Sequence, residues 1–271
     1  MTITVNGESS GGVAYPASFT LWDGVIKCAT TTGYGAGINA TSSATVNIHG
    51  GIIEGGTVAG ENGGNIYMSA GSQLNISGGI IRNGSSTKRG LNIYVDSSAS
   101  KVTEVNISGG LIEFDSARTA TGLGGNIYVN LYARVYISGG TIRGGKSGNG
   151  GNIYLNTLSK LTMTGGTIEG GYSSGSGGNV YLNAASQMEM TGGTITDGDA
   201  KSTGGNIFVG YNEAYEEPYG CADAALTLCG GLVTAGTASE GDSIYANGIL
   251  KVDLKGQELT NVYAKENKFT C

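Results

Sequence analysis

The sequence predicts an all-β chain wound as a right-handed parallel β-helix, a three-sheet solenoid of about eight coils of 26–28 residues. Three observations predict it: a recurring GGNIY element, a recurring Ser/Thr-Gly-Gly element with aliphatic flanks, and strict alternation of apolar and polar residues between them. The 51 glycines among 271 residues lack the every-third period of collagen, and a 39% hydrophobic content is too high for plain disorder.

The first element recurs with its asparagine at Asn65, Asn92, Asn126, Asn152, Asn179 and Asn206. In the second of these copies Gly90-Leu91 replaces the glycine pair, and degenerate copies sit at Gly37-Ile38-Asn39 and Ser243-Ile244-Tyr245. The second element recurs at Gly50, Gly78, Gly109, Gly139, Gly165, Gly192 and Gly230, with LWDGVI at residues 21–26 as an earlier relative. A fixed period of this length marks a stacked repeat architecture. Within a unit, Ile153 and Leu155 face opposite to Asn152, Tyr154 and Asn156, then Leu161 and Met163 alternate with Thr162 and Thr164, and Ile168 follows. Period-two alternation marks strands with one buried face. Three such short strands bury that face only when successive units stack, each strand pairing with its equivalent one coil on. The repeats do not divide into units of six, and the G-G-x-G-x-D pattern of calcium-binding solenoids is missing. At about 4.8 Å per coil the rod is roughly 40 Å tall.

Stacking carries further expectations. The asparagine after each glycine pair falls above its equivalent, which predicts a ladder of amides bonded along the rod. The outward residue that closes the third strand reads Lys27, Glu54, Arg82, Glu113, Arg143, Glu169, then Thr196 and Thr234. Six coils alternate in sign, an exposed charge ladder worth about 0.2–1 kcal/mol per neighbouring pair. The segments after the third strand are polar and glycine-rich, longest at residues 114–125. The largest insertion, GYNEAYEEPYGCAD at 210–223, falls between the first and second strands. The whole of 1–271 reads as one domain, with 250–271 alternating and then charged, as suits an end cap over an open strand edge.

Composition narrows the function. A net charge of −6 disfavours nucleic acid and anionic membrane surfaces. No run of ~18 apolar residues offers membrane insertion. The start, MTITVNGESSGG, lacks the basic and apolar regions of a signal peptide, so the chain reads either as cytoplasmic or, the favoured expectation, as a mature fragment or excised domain of a larger secreted protein, extracellular or at a cell surface. Cys28, Cys221, Cys229 and Cys271 show no CxxC spacing and His49 is the sole histidine, so no zinc site of usual spacing, and no other metal or cofactor, is expected. Cys221 and Cys229 bracket the insertion, which leaves two readings, a disulfide that closes it or free thiols, because spacing alone proves no bridge.

GGNIY with Ser-Gly-Gly-Thr-Ile, repeated through nearly the whole chain, resembles bacterial right-handed β-helix surface proteins, adhesin-like relatives within the pectate-lyase-like superfamily. The resemblance implies the fold and an adhesin-like role. The N-T-D, D-D, G-H-G and R-x-K signatures of pectinase-type enzymes are missing, so the reading leans away from an enzyme.

The strongest candidate site is the aromatic stripe Tyr67, Tyr94, Tyr128, Tyr154, Tyr181 and Phe208, continued by Tyr245 and expected on an exposed outer face. Ser69, Asp96, Asn130, Asn156 and Asn183 flank it. Such a face suits glycans or host and microbial proteins, with rings stacking on sugars and amides bonding hydroxyls; the alternative is a structural stack shielding the sheet. The second candidate is the insertion, with Glu213, Tyr215, Glu216, Glu217, Tyr219 and Asp223, because long loops on rigid scaffolds carry function. Its carboxylates suit Ca²⁺ or acid/base work, or are a solvated loop. A partial threonine rank, Thr141, Thr167 and Thr194, is interrupted by Ile52, Ile80, Leu111 and Leu232 and supports ice binding poorly. The leading expectation is a non-enzymatic scaffold binding glycan or protein; its rivals are a polysaccharide lyase or hydrolase and a spacer without ligand.

Overall fold

The computed structural model describes residues 2–10, 13–114, 122–216, 220–253, 261–265 and 269–270. They form a parallel β-solenoid of about eight turns around three long sheets. The first sheet has ten strands, running from Ile3–Asn6 through Ile66–Met68 and Ile153–Leu155 to Val262–Ala264. The second also has ten, from Ser18–Leu21 through Lys160–Met163 to Phe269–Thr270, and the third has eight, from Val25–Lys27 to Leu232–Thr234. Pairing is in register from coil to coil: Ile153 lies between Ile127 and Val180, and Tyr154 between Tyr128 and Tyr181. The inward row of each sheet merges into one core that includes Ile153, Leu161, Met163 and Ile168, all fully buried.

A short fourth strand was not among the three expected per coil. Lys146–Ser147, Tyr172–Ser173 and Asp199–Ala200 form one three-stranded sheet, and Thr30–Thr31, Thr57–Val58 and Ser85–Ser86 another. Two residues are too few for alternation to register, and the inward one is often a serine. Ser173 is nonetheless buried, because its hydroxyl donates to the carbonyl oxygens of Gly148 at 2.8 Å and Ser176 at 3.0 Å.

The glycine pair before each asparagine has two separate reasons. Gly150 sits at φ +65°, a left-handed conformation natural to glycine. Gly151 has no such conformation, but a Cβ there would overlap the Gly178 carbonyl oxygen one coil on. The turn therefore requires glycine once for its backbone and once for its closeness to the next coil.

Near the start, Glu8–Ser10 and Val13–Tyr15 pair as an antiparallel hairpin. The insertion contributes a single 3₁₀ turn, Glu213–Tyr215, between the first-sheet strand Ile207–Val209 and the second-sheet strand Ala225–Leu228. Ile249–Val252, at the head of the expected end cap, extends the second sheet against Ala225–Leu228 with Leu250 fully buried. Leu254, Lys255 and Lys268 of that cap lie outside the described residues.

Candidate functional site

Because the first-sheet strands are in register, their tyrosines are too. Adjacent rings from Tyr67 through Tyr94, Tyr128 and Tyr154 to Tyr181 stack with centroids 4.8–5.6 Å apart and planes within 7° of parallel. The stack continues through Phe208 and Tyr245 to Tyr263. It lies on the outer side of the sheet, as alternation requires, yet it is not an exposed platform. Tyr67, Tyr94, Tyr128 and Tyr154 retain 9%, 4%, 1% and 7% of their surface, which corrects the expectation of open ring faces. The physical reason is that the coil pitch is close to the spacing of stacked rings. Each face is covered by the next tyrosine, and Leu123 packs against the stack from the segment that follows the third strand. The Arg89 guanidinium sits over the Tyr128 ring, 5.2 Å from its centroid.

The flanking polar residues also bond along the rod. Asp96 accepts from the Tyr67 hydroxyl at 3.2 Å and from the Asn130 amide at 2.7 Å. Asn156 donates to Asn130 at 2.8 Å, and Asn183 to Asn156 at 3.0 Å. A deeper ladder runs beside it as expected. Asn65, Asn92, Asn126, Asn152, Asn179 and Asn206 are fully buried, each amide donating to the next at 2.7–2.8 Å.

Burial pushes the Tyr128 phenol up to about 12, although Arg89 pulls the other way. Burial raises Tyr67, Tyr94 and Tyr154 as well; Asp96 adds to the first two, and Tyr181 and Tyr128 to the third. Neutral phenols of this kind donate and accept hydrogen bonds and supply no base. Tyr181 is raised by burial and by Tyr215, which also acts on Tyr128 and Tyr154. The insertion leaves the first sheet directly after the strand that carries Phe208, so the two candidate sites adjoin in one region.

The insertion closes on itself. Tyr211 bridges Asp223, Asn212 donates to the Ala222 carbonyl at 3.0 Å, and the Asn212 side chain caps the 3₁₀ turn at the Ala214 N–H, 3.1 Å away. The Glu216 carboxylate accepts from the Ala222 N–H at 3.2 Å, so it holds the loop's base. Glu217 and Tyr219 lie outside the described residues. Tyr211 is 43% exposed, a large apolar surface at the margin of the region. Cys221 and Cys229 are free thiols, with Cys221 donating to the Asp223 carbonyl at 3.1 Å, so the suggested disulfide is not formed. Among the described residues no cluster of three or more His, Cys, Asp or Glu side chains is placed to hold a metal ion.

On the third sheet the charge ladder resolves into two discrete pairs. Arg82 binds Glu54 through Nε and Nη2 at 2.9 and 2.7 Å, and Arg143 binds Glu113 at 3.1 and 2.8 Å. Lys27 and Glu169, at the two ends, form no ion pair among the described residues. A cavity of about 480 Å³ opens beside Phe114, Arg143, Glu169 and Asp197.

Several features lie outside the ladders expected from the sequence. Trp22, 71% exposed, stacks on His49 at 4.2 Å, and His49 Nδ1 hydrogen-bonds the Ser77 hydroxyl at 2.7 Å. A third amide ladder joins Asn47, Asn75 and Asn106 at 2.9 Å on the outside of the second sheet. Its signal was present in the recurring Val-Asn-Ile and Leu-Asn-Ile triplets. No protein-family model, no curated protein and no solved structure matches this chain.

Proposed function

We infer that this chain is a non-enzymatic β-solenoid scaffold of a secreted or cell-surface protein, adhesin-like in holding a glycan or protein ligand against its side. The ligand surface is the region where the insertion meets the tyrosine ladder, edged by Tyr211, Tyr215, Arg89 and Asp96. One observation carries the reading: the insertion breaks the repeat directly after the strand of Phe208 and is held closed by Tyr211, Asn212 and Glu216. Long loops held on a rigid frame are where binding concentrates. The buried rings serve as the frame, and the contacts fall to hydroxyl edges, amides and the exposed loop.

Glycan and protein arrays probed with the intact chain test this. Tyr211→Ala combined with Tyr215→Ala should weaken any captured ligand at least tenfold while leaving the melting temperature within a few degrees. Unchanged capture would remove the region from the site.

The burial of the stack favours a second reading, a structural spacer whose tyrosines do nothing but hold coils together. It expects no ligand on either array. The lyase or hydrolase alternative gains nothing from Glu216, whose carboxylate is engaged at the loop base.

A further inference from the structure

The corner between the first and second sheets carries a groove unrelated to the tyrosine ladder. Three consecutive coils turn there through Tyr132, Leu158 and Ala185, at φ 61°, 60° and 60°. A left-handed backbone is costly for bulky side chains such as Tyr and Leu, and glycine or asparagine would adopt it more easily. The side chains kept at this cost line a cavity of about 420 Å³, together with Ala99 and Val102. The same cavity is bordered by Arg134 and Lys160. It runs into a second hollow of about 170 Å³ that shares Lys160 and Gln187 and reaches Lys251 and Glu189.

Charge distinguishes this groove from the rest of the surface. Its two hollows are lined by three cations, Arg134, Lys160 and Lys251, against the single carboxylate Glu189. The protein as a whole carries −6. Two of the cations have partners, but loose ones: Lys160 is 3.6 Å from Glu189 and Arg134 is 3.9 Å from Glu104. The third-sheet pairs close to 2.7 and 2.8 Å. Long, half-exposed pairs exchange readily for an incoming carboxylate.

We propose that this groove docks an extended acidic segment of a partner protein, with an apolar side chain seated among Val102, Tyr132, Leu158 and Ala185 and neighbouring carboxylates on Arg134, Lys160 and Lys251. The contiguous apolar patch of Ala99, Val102, Leu158 and Ala185 beside the cations favours a peptide, which presents apolar and charged side chains together, over an acidic sugar. The assignment is independent of the ligand held at the insertion.

The test uses fluorescence anisotropy of the full chain with three labelled peptides, repeats of Glu-Leu, Glu-Ser and Lys-Leu, and with labelled polygalacturonate. Glu-Leu should bind, weaken at least tenfold in the Arg134→Glu/Lys160→Glu double variant, and weaken as salt rises. Tyr132→Asn with Leu158→Asn should weaken it at least tenfold while keeping or raising the melting temperature, because asparagine suits the left-handed backbone. Equal binding of Glu-Ser would overturn the apolar seat. Binding indifferent to the charge reversal, or stronger for Lys-Leu, would overturn the charge match. Polygalacturonate bound in place of Glu-Leu would replace the peptide with a glycan and overturn the proposal.

Discussion

At Asn152 one side chain makes four hydrogen bonds. Its amide donates to Asn179 at 2.7 Å and to the Glu169 carbonyl at 2.9 Å, while its oxygen accepts from Asn126 at 2.7 Å and from the Gly145 N–H at 2.9 Å. Asn152→Ala strands buried partners on both neighbouring coils and should cost roughly 2–4 kcal/mol in urea denaturation. Asn152→Asp keeps the acceptor but loses both donors and buries a carboxylate, so it should cost at least as much. The glycines separate by the same logic. Gly151→Ala collides with a neighbouring carbonyl and should cost about 3 kcal/mol or more. Gly170 lies at φ +59° with open space where its Cβ would go, so Gly170→Ala should cost only about 1–2 kcal/mol. Melting curves of the two variants would order them, and equal losses would refute the distinction.

At the scale of the element, the tyrosine ladder links stability to alkaline pH. The phenols of Tyr67, Tyr94, Tyr128, Tyr154 and Tyr181 are raised above the usual 10. A proton held more tightly in the folded state stabilises fully below pH 10, and that contribution is lost as pH rises through about 12. Circular dichroism and 295 nm absorbance should therefore show phenolate appearing together with unfolding above pH 10. Tyr154→Phe should lessen the alkaline loss; an unchanged profile would refute the link. The charge ladder contributes far less. Glu113→Gln breaks a pair whose arginine is half exposed, so it should change stability by less than about 1 kcal/mol. The strands, the buried asparagine ladder and the alternation of charge were legible because a period of two residues and a period of one coil are both written in the sequence. Burial of Tyr128 was not legible. Alternation places it outside, and besides the neighbouring rings what covers it comes from Arg89 and Leu123, residues with no shared period. The third-sheet charge ladder shows the same limit, since the pattern gives the neighbours but not which of them pair.

For the whole molecule, each coil touches chiefly the coils before and after it, so stability approaches a sum over coils and their interfaces. Asn152 and Asn179 are 27 residues apart in equivalent positions. Excising residues 152–178 joins Gly151 to Asn179 and brings in-register strands together. The shortened chain should fold cooperatively, and small-angle scattering should find the rod about 4.8 Å shorter. Excision of the same length begun mid-strand, at residue 162, serves as a comparison for the junction and should fold as well, because any cut of one full period preserves register.

Trp22 is the only tryptophan, and it lies on His49 in the first coils of the rod, far along the chain from the tyrosine stack's centre at Tyr128. Its emission is therefore a lamp fixed at one end, whereas near-ultraviolet dichroism of the stacked phenols watches the middle. In a chain of nearest-neighbour units the two signals need not fade together. A fluorescence midpoint below the dichroism midpoint would measure fraying of the first coils directly, and the gap between the two would give the strength of coupling from one coil to the next.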